Sequence, residues 1–211
     1  MNTASIHDSF LRINLWLSEH APKILKSLQN PAPEEQFKIL SDVAARALPS
    51  EFYDLYRTHN GISPEAMCNL FFGVKFISIE DSINQVKDID DLENSPSLKY
   101  VDPGIRNNYT FNKSRVPIGD DSGTCLICVD LEPDEGGFFG QVILIDYDYS
   151  IAIKLANSLS QFVSNFAADL ESGKYSLQED ALADGKEWLE PSREIDSVNW
   201  FNSPTWRHIK I

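Results

Sequence analysis

Two cysteines three residues apart are the first side chains in this sequence whose spacing could support chemistry. Cys125 and Cys128 form a Cys-x-x-Cys pair at the end of PIGDDSGTCLIC, residues 117–128. Such a pair binds a metal or exchanges thiols when both sulfurs face the same side, as at a turn or a helix N-terminus. Here apolar neighbours predict a strand, in which residues three apart point to opposite faces. We therefore interpret the pair as two small buried hydrophobic residues.

Two adjacent acids, Asp120 and Asp121, precede these cysteines and could begin a calcium loop. A loop of the EF-hand type needs oxygen ligands at alternate positions and a distal bidentate glutamate. Counting from Asp120, that pattern reaches Ser122 and Thr124 and then enters the apolar strand, which offers no further oxygen ligands. Glycine, aspartate and serine are also typical of tight connections between strands. The segment is therefore predicted to be a turn.

A second acidic segment, DLEPDEGG at residues 130–137, carries Asp130, Glu132, Asp134 and Glu135. Two carboxylates held at a fixed separation carry out glycoside hydrolysis. A flexible, glycine-rich hairpin holds acids poorly for that work, so we predict a solvated turn. The four histidines show no metal-binding spacing, and neither a phosphate-binding glycine loop nor a nucleophile motif is present. We expect no enzyme activity, no cofactor and no metal.

The excess of acidic over basic residues indicates which classes of partner the protein can bind. The 211 residues include 32 acidic and 18 basic ones, which gives a net charge of −14. A strongly acidic surface repels nucleic acid and anionic membranes and attracts basic partners. The sequence shows no bilayer-length apolar run and no signal peptide, and its three cysteines do not suggest a secreted disulfide framework. We expect a cytoplasmic protein that binds neither nucleic acid nor membrane.

The periodicity of apolar residues predicts helices first, then closely spaced strands, then a closing helix. This order is typical of an α+β fold, with a central antiparallel or mixed β-sheet and helices packed around it. The predicted elements are helices at 7–20, after PAPEE (31–35) and at 51–59 with Ser50 as N-cap, a strand at 70–79, a polar helix at 80–95, strands at 114–118, 124–131, 141–147 and 150–154, and a helix near 156–172.

The chain is long enough for one domain of generous size, so we predict a single domain over residues 1–211. Its core is expected at about 10–175. The extension at 176–211 is polar but contains several aromatic residues, among them Trp200 and Trp206, so we expect it to pack on the body of the domain.

Three segments and one tryptophan resemble the SUKH superfamily, which includes the fungal cell-wall assembly regulator and bacterial toxin-immunity proteins. The segments are LPSEFYDLYRTHNGI, RVPIGDDSGTCLICVDLEPDEGGFFGQVILIDYD and LANSLSQFVSNFAADLESGKY, and Trp16 matches an early tryptophan of the family. The sequence departs from the family pattern at Asp121 and Ser122, where glycines are common. The resemblance spans roughly residues 10–175 and implies an α+β fold.

The resemblance also implies a function in binding. A compact domain without long flanks looks more like the bacterial branch. The leading hypothesis is therefore an immunity protein that neutralises a toxin, such as a nuclease, by binding its basic domain. The alternative is a regulatory or scaffold protein related to cell-wall assembly regulators. A hydrolase using the loop acids is the weakest hypothesis, because no orienting residues accompany them. The predicted partner-binding residues are Asp120, Asp121, Asp130, Glu132, Asp134 and Glu135.

Overall fold

Four helices form the N-terminal part of the molecule. The computed structural model describes residues 4–89 and 95–210. Its first helices are α1 (Ile6–His20), α2 (Pro22–Ser27), α3 (Glu34–Val43) and α4 (Ser50–Thr58). Ser5 caps α1 by accepting a hydrogen bond from the Asp8 main-chain nitrogen, and proline at the first position of α2 suits a helix start. Helices at the places of α1, α3 and α4 were predicted, because their apolar residues recur at helical spacing. A separate helix at the place of α2 was not among the predicted elements.

A mixed sheet of six strands lies at the centre, in the order β1-β3-β4-β5-β6-β2. All neighbouring pairs are antiparallel except β2 and β6, which run parallel. This confirms the predicted α+β class and the antiparallel meander from β3 to β6. The strands and the helix α5 are β1 (Lys75–Phe76), α5 (Ile79–Lys87), β2 (Tyr100–Val101), β3 (Arg115–Asp120), β4 (Cys125–Asp130), β5 (Gln141–Asp146) and β6 (Ile151–Ala156).

The two faces of this sheet are covered differently. One face packs on α1, α4 and the closing helix α6 (Leu159–Glu171) through a large apolar cluster. The other face carries a small cluster that includes Leu98, Cys128 and Ile143. Because successive side chains of a strand alternate in direction, β4 sends Ile127 to the first face and Cys128 to the second. We refer to them as the helix-covered face and the cleft face, after the cleft described below.

The strand predicted at 70–79 is wrong in extent. A tight turn interrupts it, because Phe72 and Gly73 both have positive φ angles, 52° and 81°. Only Lys75–Phe76 joins the sheet, as the edge strand β1. The aromatic side chains before the turn pack inward instead: the ring of Phe71 lies 4.9 Å from that of Phe162. Their burial in the core explains the apolar pattern that resembles a strand.

Two helix boundaries also differ from the prediction. Ser50 is the first residue of α4 rather than its N-cap, and the cap position belongs to Pro49, which makes no side-chain capping bond. The polar helix begins at Ile79 behind a capping box of Ser78 and Asp81 and ends at Lys87. Residues 90–94 of the predicted 80–95 helix lie outside the described residues.

The C-terminal residues form a small hairpin with a short helix between its strands, followed by an irregular segment. The hairpin is β7 (Tyr175–Leu177) with β8 (Leu189–Pro191), and the helix is α7 (Glu179–Ala183). Leu189, Trp200 and Ile209 are buried in the large apolar cluster. The indole nitrogen of Trp200 donates a hydrogen bond of 3.0 Å to Asp146 at the end of β5. This extension therefore packs on the body. No helix in the described ranges has the length and apolarity to cross a bilayer.

Candidate functional site

The six predicted binding acids fall into two groups at opposite ends of β4. Asp120 and Asp121 belong to the connection between β3 and β4, and the other four belong to the loop between β4 and β5. A strand of six residues is about 20 Å long. The two groups of acids therefore do not form one cluster, and each end must be considered separately.

The carboxylates of the β3–β4 connection hold the turn itself. Asp120 accepts hydrogen bonds from the Ser122 main-chain nitrogen at 2.6 Å and from Gln85 Nε2 at 2.7 Å. Asp121 Oδ1 accepts from the main-chain nitrogens of Gly123 at 2.8 Å and Cys125 at 2.9 Å. The prediction of a strand–turn–strand segment is confirmed. Across residues 4–89 and 95–210, no group of three or more His, Cys, Asp or Glu side chains is placed to hold a metal ion.

Asp130 was predicted to lie in a solvated turn, and this is wrong: its side chain is only 1% exposed. It ends β4 on the cleft face and accepts hydrogen bonds from Gln141 Nε2 at 2.8 Å and from the Glu132 main-chain nitrogen at 3.1 Å. Burial raises the pKa of this carboxyl above its ordinary value, and the bond from Gln141 opposes the rise. A side chain so enclosed cannot contact a partner directly.

Gln141 connects Asp130 to the rest of the loop. Its Nε2 also donates to the carbonyl of Gly104 at 2.8 Å, and its Oε1 accepts from the Phe138 main-chain nitrogen at 3.1 Å. The loop rests directly on the neighbouring segment, because a Cβ atom at Gly137 would lie 2.2 Å from the Gly104 carbonyl oxygen. Only glycine permits that approach. The pair of Asp130 and Gln141 thus positions the β4–β5 hairpin loop.

The remaining acids of this loop differ in exposure. Glu132 forms an ion pair with Arg46 at 2.9 Å and is partly buried. Asp134 and Glu135 are exposed, and Asp134 accepts a hydrogen bond from the Glu135 main-chain nitrogen. Of the four predicted residues, these two carboxylates are the best placed to reach a partner.

Two phenylalanines at the tip of the same loop were missed by sequence reasoning. Phe138 and Phe139 are 51% and 53% exposed, although large aromatic side chains normally avoid water. The signal was the segment GGFFG, in which two adjacent phenylalanines stand between glycines. The ammonium of Lys154 lies 5.9 Å from the centre of the Phe138 ring. We call the surface made by Asp134, Glu135, Phe138 and Phe139 the hairpin tip.

The cysteines occupy the places that strand alternation predicts. Cys125 belongs to the cluster on the helix-covered face and Cys128 to the cluster on the cleft face. Both are buried free thiols, and burial raises the pKa of each to about 12. The thiolate form that metal binding or redox exchange requires is thereby disfavoured. The prediction of two buried hydrophobic residues is confirmed.

A cleft of about 470 Å³ opens on the cleft face at the Asp120 end of β4. Its floor consists of side chains from β3, β4 and β5, including Leu126, Cys128 and Ile145. The rings of Phe111 and Tyr147, 5.6 Å apart, close one side, and Gln85 on α5 forms another wall. Four separate parts of the chain contribute, so no local sequence motif could have revealed this cleft.

A buried arginine, Arg115, lines the same cleft and is 2% exposed. Its terminal nitrogens donate to the main-chain carbonyls of Arg106, Tyr109 and Thr110 rather than to a carboxylate. Its guanidinium carbon also lies 4.4 Å from the centre of the Tyr109 ring. Burial lowers the pKa of Arg115 from its ordinary value, although arginine remains charged at neutral pH. This cation fixes the segment 106–110 against the sheet.

With the fold and both surfaces described, comparison with known proteins assigns the family. The sequence model of the SMI1 / KNR4 family (SUKH-1) matches residues 31–165, which cover both ends of β4 and the cleft floor. The chain belongs to this family. The match confirms the resemblance, and it places the SMI1 / KNR4 domain across the whole central sheet from β1 to β6.

Three fungal proteins are similar to this chain. The cell wall assembly regulator SMI1 of Saccharomyces cerevisiae is 21% identical over 206 residues, covering 80% of this chain and 41% of the relative. KNR4/SMI1 homolog 2 of Debaryomyces hansenii is 22% identical over 237 residues, covering 91% and 40%. The cell wall biosynthesis/cell cycle regulator smi1 of Schizosaccharomyces pombe is 23% identical over 195 residues, covering 83% and 38%. The chain spans about two fifths of the length of these relatives.

Proposed function

We propose that this chain is a non-enzymatic protein-binding domain that takes part in the regulation of cell-wall assembly. The observation that carries the proposal is its membership of the SMI1 / KNR4 family together with three relatives named as cell-wall regulators or their homologue. These relatives favour the regulatory hypothesis over immunity to a bacterial toxin. Regulation of this kind requires a surface that recognises another protein.

The hairpin tip has the composition of such a surface. Aromatic side chains are enriched at the centres of protein interfaces, where they supply most of the binding energy. Phe138 and Phe139 are both more than half exposed, and Asp134 and Glu135 lie exposed in the same loop. A partner with an apolar pocket bordered by lysine or arginine would complement this tip. The net charge of −14 would speed its approach.

The non-enzymatic part of the proposal is supported by what the loop acids do. Asp120 and Asp121 accept hydrogen bonds that hold a turn, and Asp130 accepts bonds that hold the hairpin loop. Holding the backbone accounts for the positions of these three carboxylates without a catalytic role. A pair of catalytic carboxylates needs both groups directed at one substrate, whereas Asp120 and Asp130 lie at opposite ends of β4.

Immunity to a toxin remains the second candidate, and the acidic surface is the observation that favours it. A basic toxin domain would complement the same hairpin tip, with exposed carboxylates around two phenylalanines. The two candidates therefore share a binding surface and differ in the identity of the basic partner.

A chimera tests the regulatory function. The segment of yeast SMI1 that aligns with this chain is replaced by the chain and expressed in yeast that lacks its own SMI1. Growth is scored in the presence of a compound that damages the cell wall. We expect the chimera to restore growth and the double variant Phe138→Ser/Phe139→Ser to fail. Phe201→Ser is the matched control, because Phe201 is equally exposed at 52% but lies outside the hairpin tip.

Protein level and folding are checked for every variant, by immunoblot and by thermal unfolding of the purified chain. Substitution of exposed side chains should change the free energy of unfolding by less than about 0.5 kcal/mol. A chimera that reaches the normal level and leaves the yeast sensitive would contradict the regulatory function. Protection of bacteria from a toxin encoded beside this gene would support immunity in its place.

A further inference from the structure

The cleft on the sheet is separate from the hairpin tip, because none of the four residues of the tip is among the residues that line the cleft. Its volume of about 470 Å³ falls within the range of ligand-binding pockets. The lining is mainly apolar, with Pro117, Leu126 and Ile145 among the floor residues. An apolar floor of this size can bury one or two side chains of a partner.

Two polar atoms in the walls of the cleft lack partners. Gln85 Oε1 and Arg115 Nε are both buried, and neither has a hydrogen-bond partner among the described residues. The orientation of the Gln85 amide follows from its neighbour: Asp120 can only accept, so Nε2 must face it and Oε1 is the atom left over. A buried donor and a buried acceptor without partners cost stability. Both costs would be relieved by a ligand that offers a carbonyl and an N–H group.

The charged side chains at the rim of the cleft determine which of these ligands the cleft would favour. Asp88 is exposed at the end of α5, and Asp120 is partly exposed at the end of β3, so carboxylates border the cleft where α5 meets the sheet. The positive charge of Arg115 is engaged by main-chain carbonyls beneath the surface. A ligand entering from solvent therefore meets negative charge first.

We propose that the cleft binds an extended peptide segment of a partner protein, in which a lysine or arginine stands beside an apolar side chain. An extended backbone presents carbonyl and N–H groups along its whole length, so different residues of one peptide can supply an acceptor to Arg115 Nε and a donor to Gln85 Oε1. The apolar side chain enters the floor around Leu126, and the basic side chain reaches Asp88 and Asp120. The chain would then have two binding surfaces, the cleft and the hairpin tip.

Binding is measured by NMR with the whole chain and two end-blocked peptides, Ac-Ala-Leu-Lys-Leu-Ala-NH₂ and its glutamate counterpart. We expect the lysine peptide to shift the amide signals of Gln85, Thr110 and Cys128, and to bind at least fivefold more tightly than the glutamate peptide. Signals of Phe138 and Phe139 should stay in place. Added salt should narrow the difference between the peptides, because the carboxylates at the rim are exposed to screening.

Two variants with matched controls test the cleft and its rim. Leu126→Trp fills the floor and should abolish the shifts, whereas Leu182→Trp, on the exposed side of α7, should preserve them. Asp88→Asn should weaken binding of the lysine peptide two- to threefold, whereas Asp42→Asn, exposed on α3, should not.

Three outcomes would overturn the proposal. They are equal binding of the two peptides, shifts that persist in Leu126→Trp, and an absence of shifts in a chain whose spectrum shows it to be folded. If the same signals moved with protein concentration in the absence of peptide, the cleft would be a contact between two copies of the chain.

Discussion

The two faces of the central sheet are built from the same strands, but the kinds of side chain they bury and the way these pack are different. On the helix-covered face, β4 and β5 contribute apolar side chains such as Ile127 and Leu144, and these join the large cluster beneath α1 and α6. On the cleft face, β4 ends in Asp130, β5 begins with Gln141 and β3 begins with Arg115, all of them buried. One face is an ordinary apolar core, and the other combines a small core with buried polar groups and an open cleft.

This difference shows which face of the sheet lowers the stability of the molecule. Burying a charged side chain costs free energy unless the hydrogen bonds that it makes compensate. Arg115 and Asp130 each use their bonds to hold a loop: Arg115 holds the segment 106–110, and Asp130, with Gln141, holds the hairpin loop. Both of the proposed binding surfaces depend on these loops. The cleft face thus buries polar groups at a cost in stability but positions both proposed binding surfaces, whereas the helix-covered face supplies the stability.

The largest expected effect on the free energy of unfolding comes from substitutions at two neighbouring residues of β5, whose side chains point to opposite faces of the sheet. Leu144 is 0% exposed in the large cluster, and Ile145 is 1% exposed at the floor of the cleft. Leu144→Ala should lower the free energy of unfolding by about 4 kcal/mol, since it leaves an enclosed cavity. Ile145→Ala should cost about 2 kcal/mol, because the space it leaves joins a cleft that already exists. Urea unfolding of both variants measures the difference.

Equal costs for the two variants would mean that the cleft face is as tightly packed as the helix-covered face, and would contradict the comparison. The denaturant dependence of the unfolding free energy should be the same in both variants and in the parent chain. A change in that slope would indicate that a variant altered the denatured state and not only the native packing.

Substitution of Arg115 should have a smaller effect on the free energy of unfolding. Arg115→Met removes the donors to three main-chain carbonyls, and buried acceptors without partners should cost about 2 to 3 kcal/mol. Arg115→Lys keeps the charge but not the planar fork of donors, so it should recover only part of the loss. Hydrogen exchange should accelerate in residues 106–110 more than in β4 and β5. Uniform acceleration over the whole sheet would contradict the positioning role of this arginine.

Strand alternation predicted the environments of Cys125 and Cys128 correctly, because it depends only on local backbone geometry. The strand at 70–79 was predicted wrongly, since a turn at Phe72 and Gly73 lets aromatic residues enter the core from a loop. Asp130 could not be recognised as buried, because the side chain that pairs with it, Gln141, is eleven residues away across the hairpin. The sequence thus predicts elements well, but it does not show which polar side chains meet once those elements pack.

The smallest expected effect is specific to the cleft face. It is the dependence of the free energy of unfolding on pH that Asp130 causes. The pKa of this carboxyl is raised in the folded protein, mainly by burial, whereas in the unfolded chain it should be near the ordinary aspartate value of about 3.9. Between these two pKa values the native state binds more protons than the unfolded state. The contribution of Asp130 to the free energy of unfolding therefore falls as pH rises through that interval, and it stays low at higher pH.

Asp130→Asn removes this titration, so the stability of the parent chain relative to this variant should fall as the pH rises from 4 to 7. Asp134→Asn, which makes the same substitution at an exposed carboxylate of the same loop, is the matched control. Urea unfolding of the three proteins at several pH values makes the comparison. A stability difference between Asp130→Asn and the parent chain that stays constant with pH would show that Asp130 titrates alike in the folded and unfolded states. In that case its burial would carry no electrostatic cost, and the contrast between the two faces would rest on packing alone.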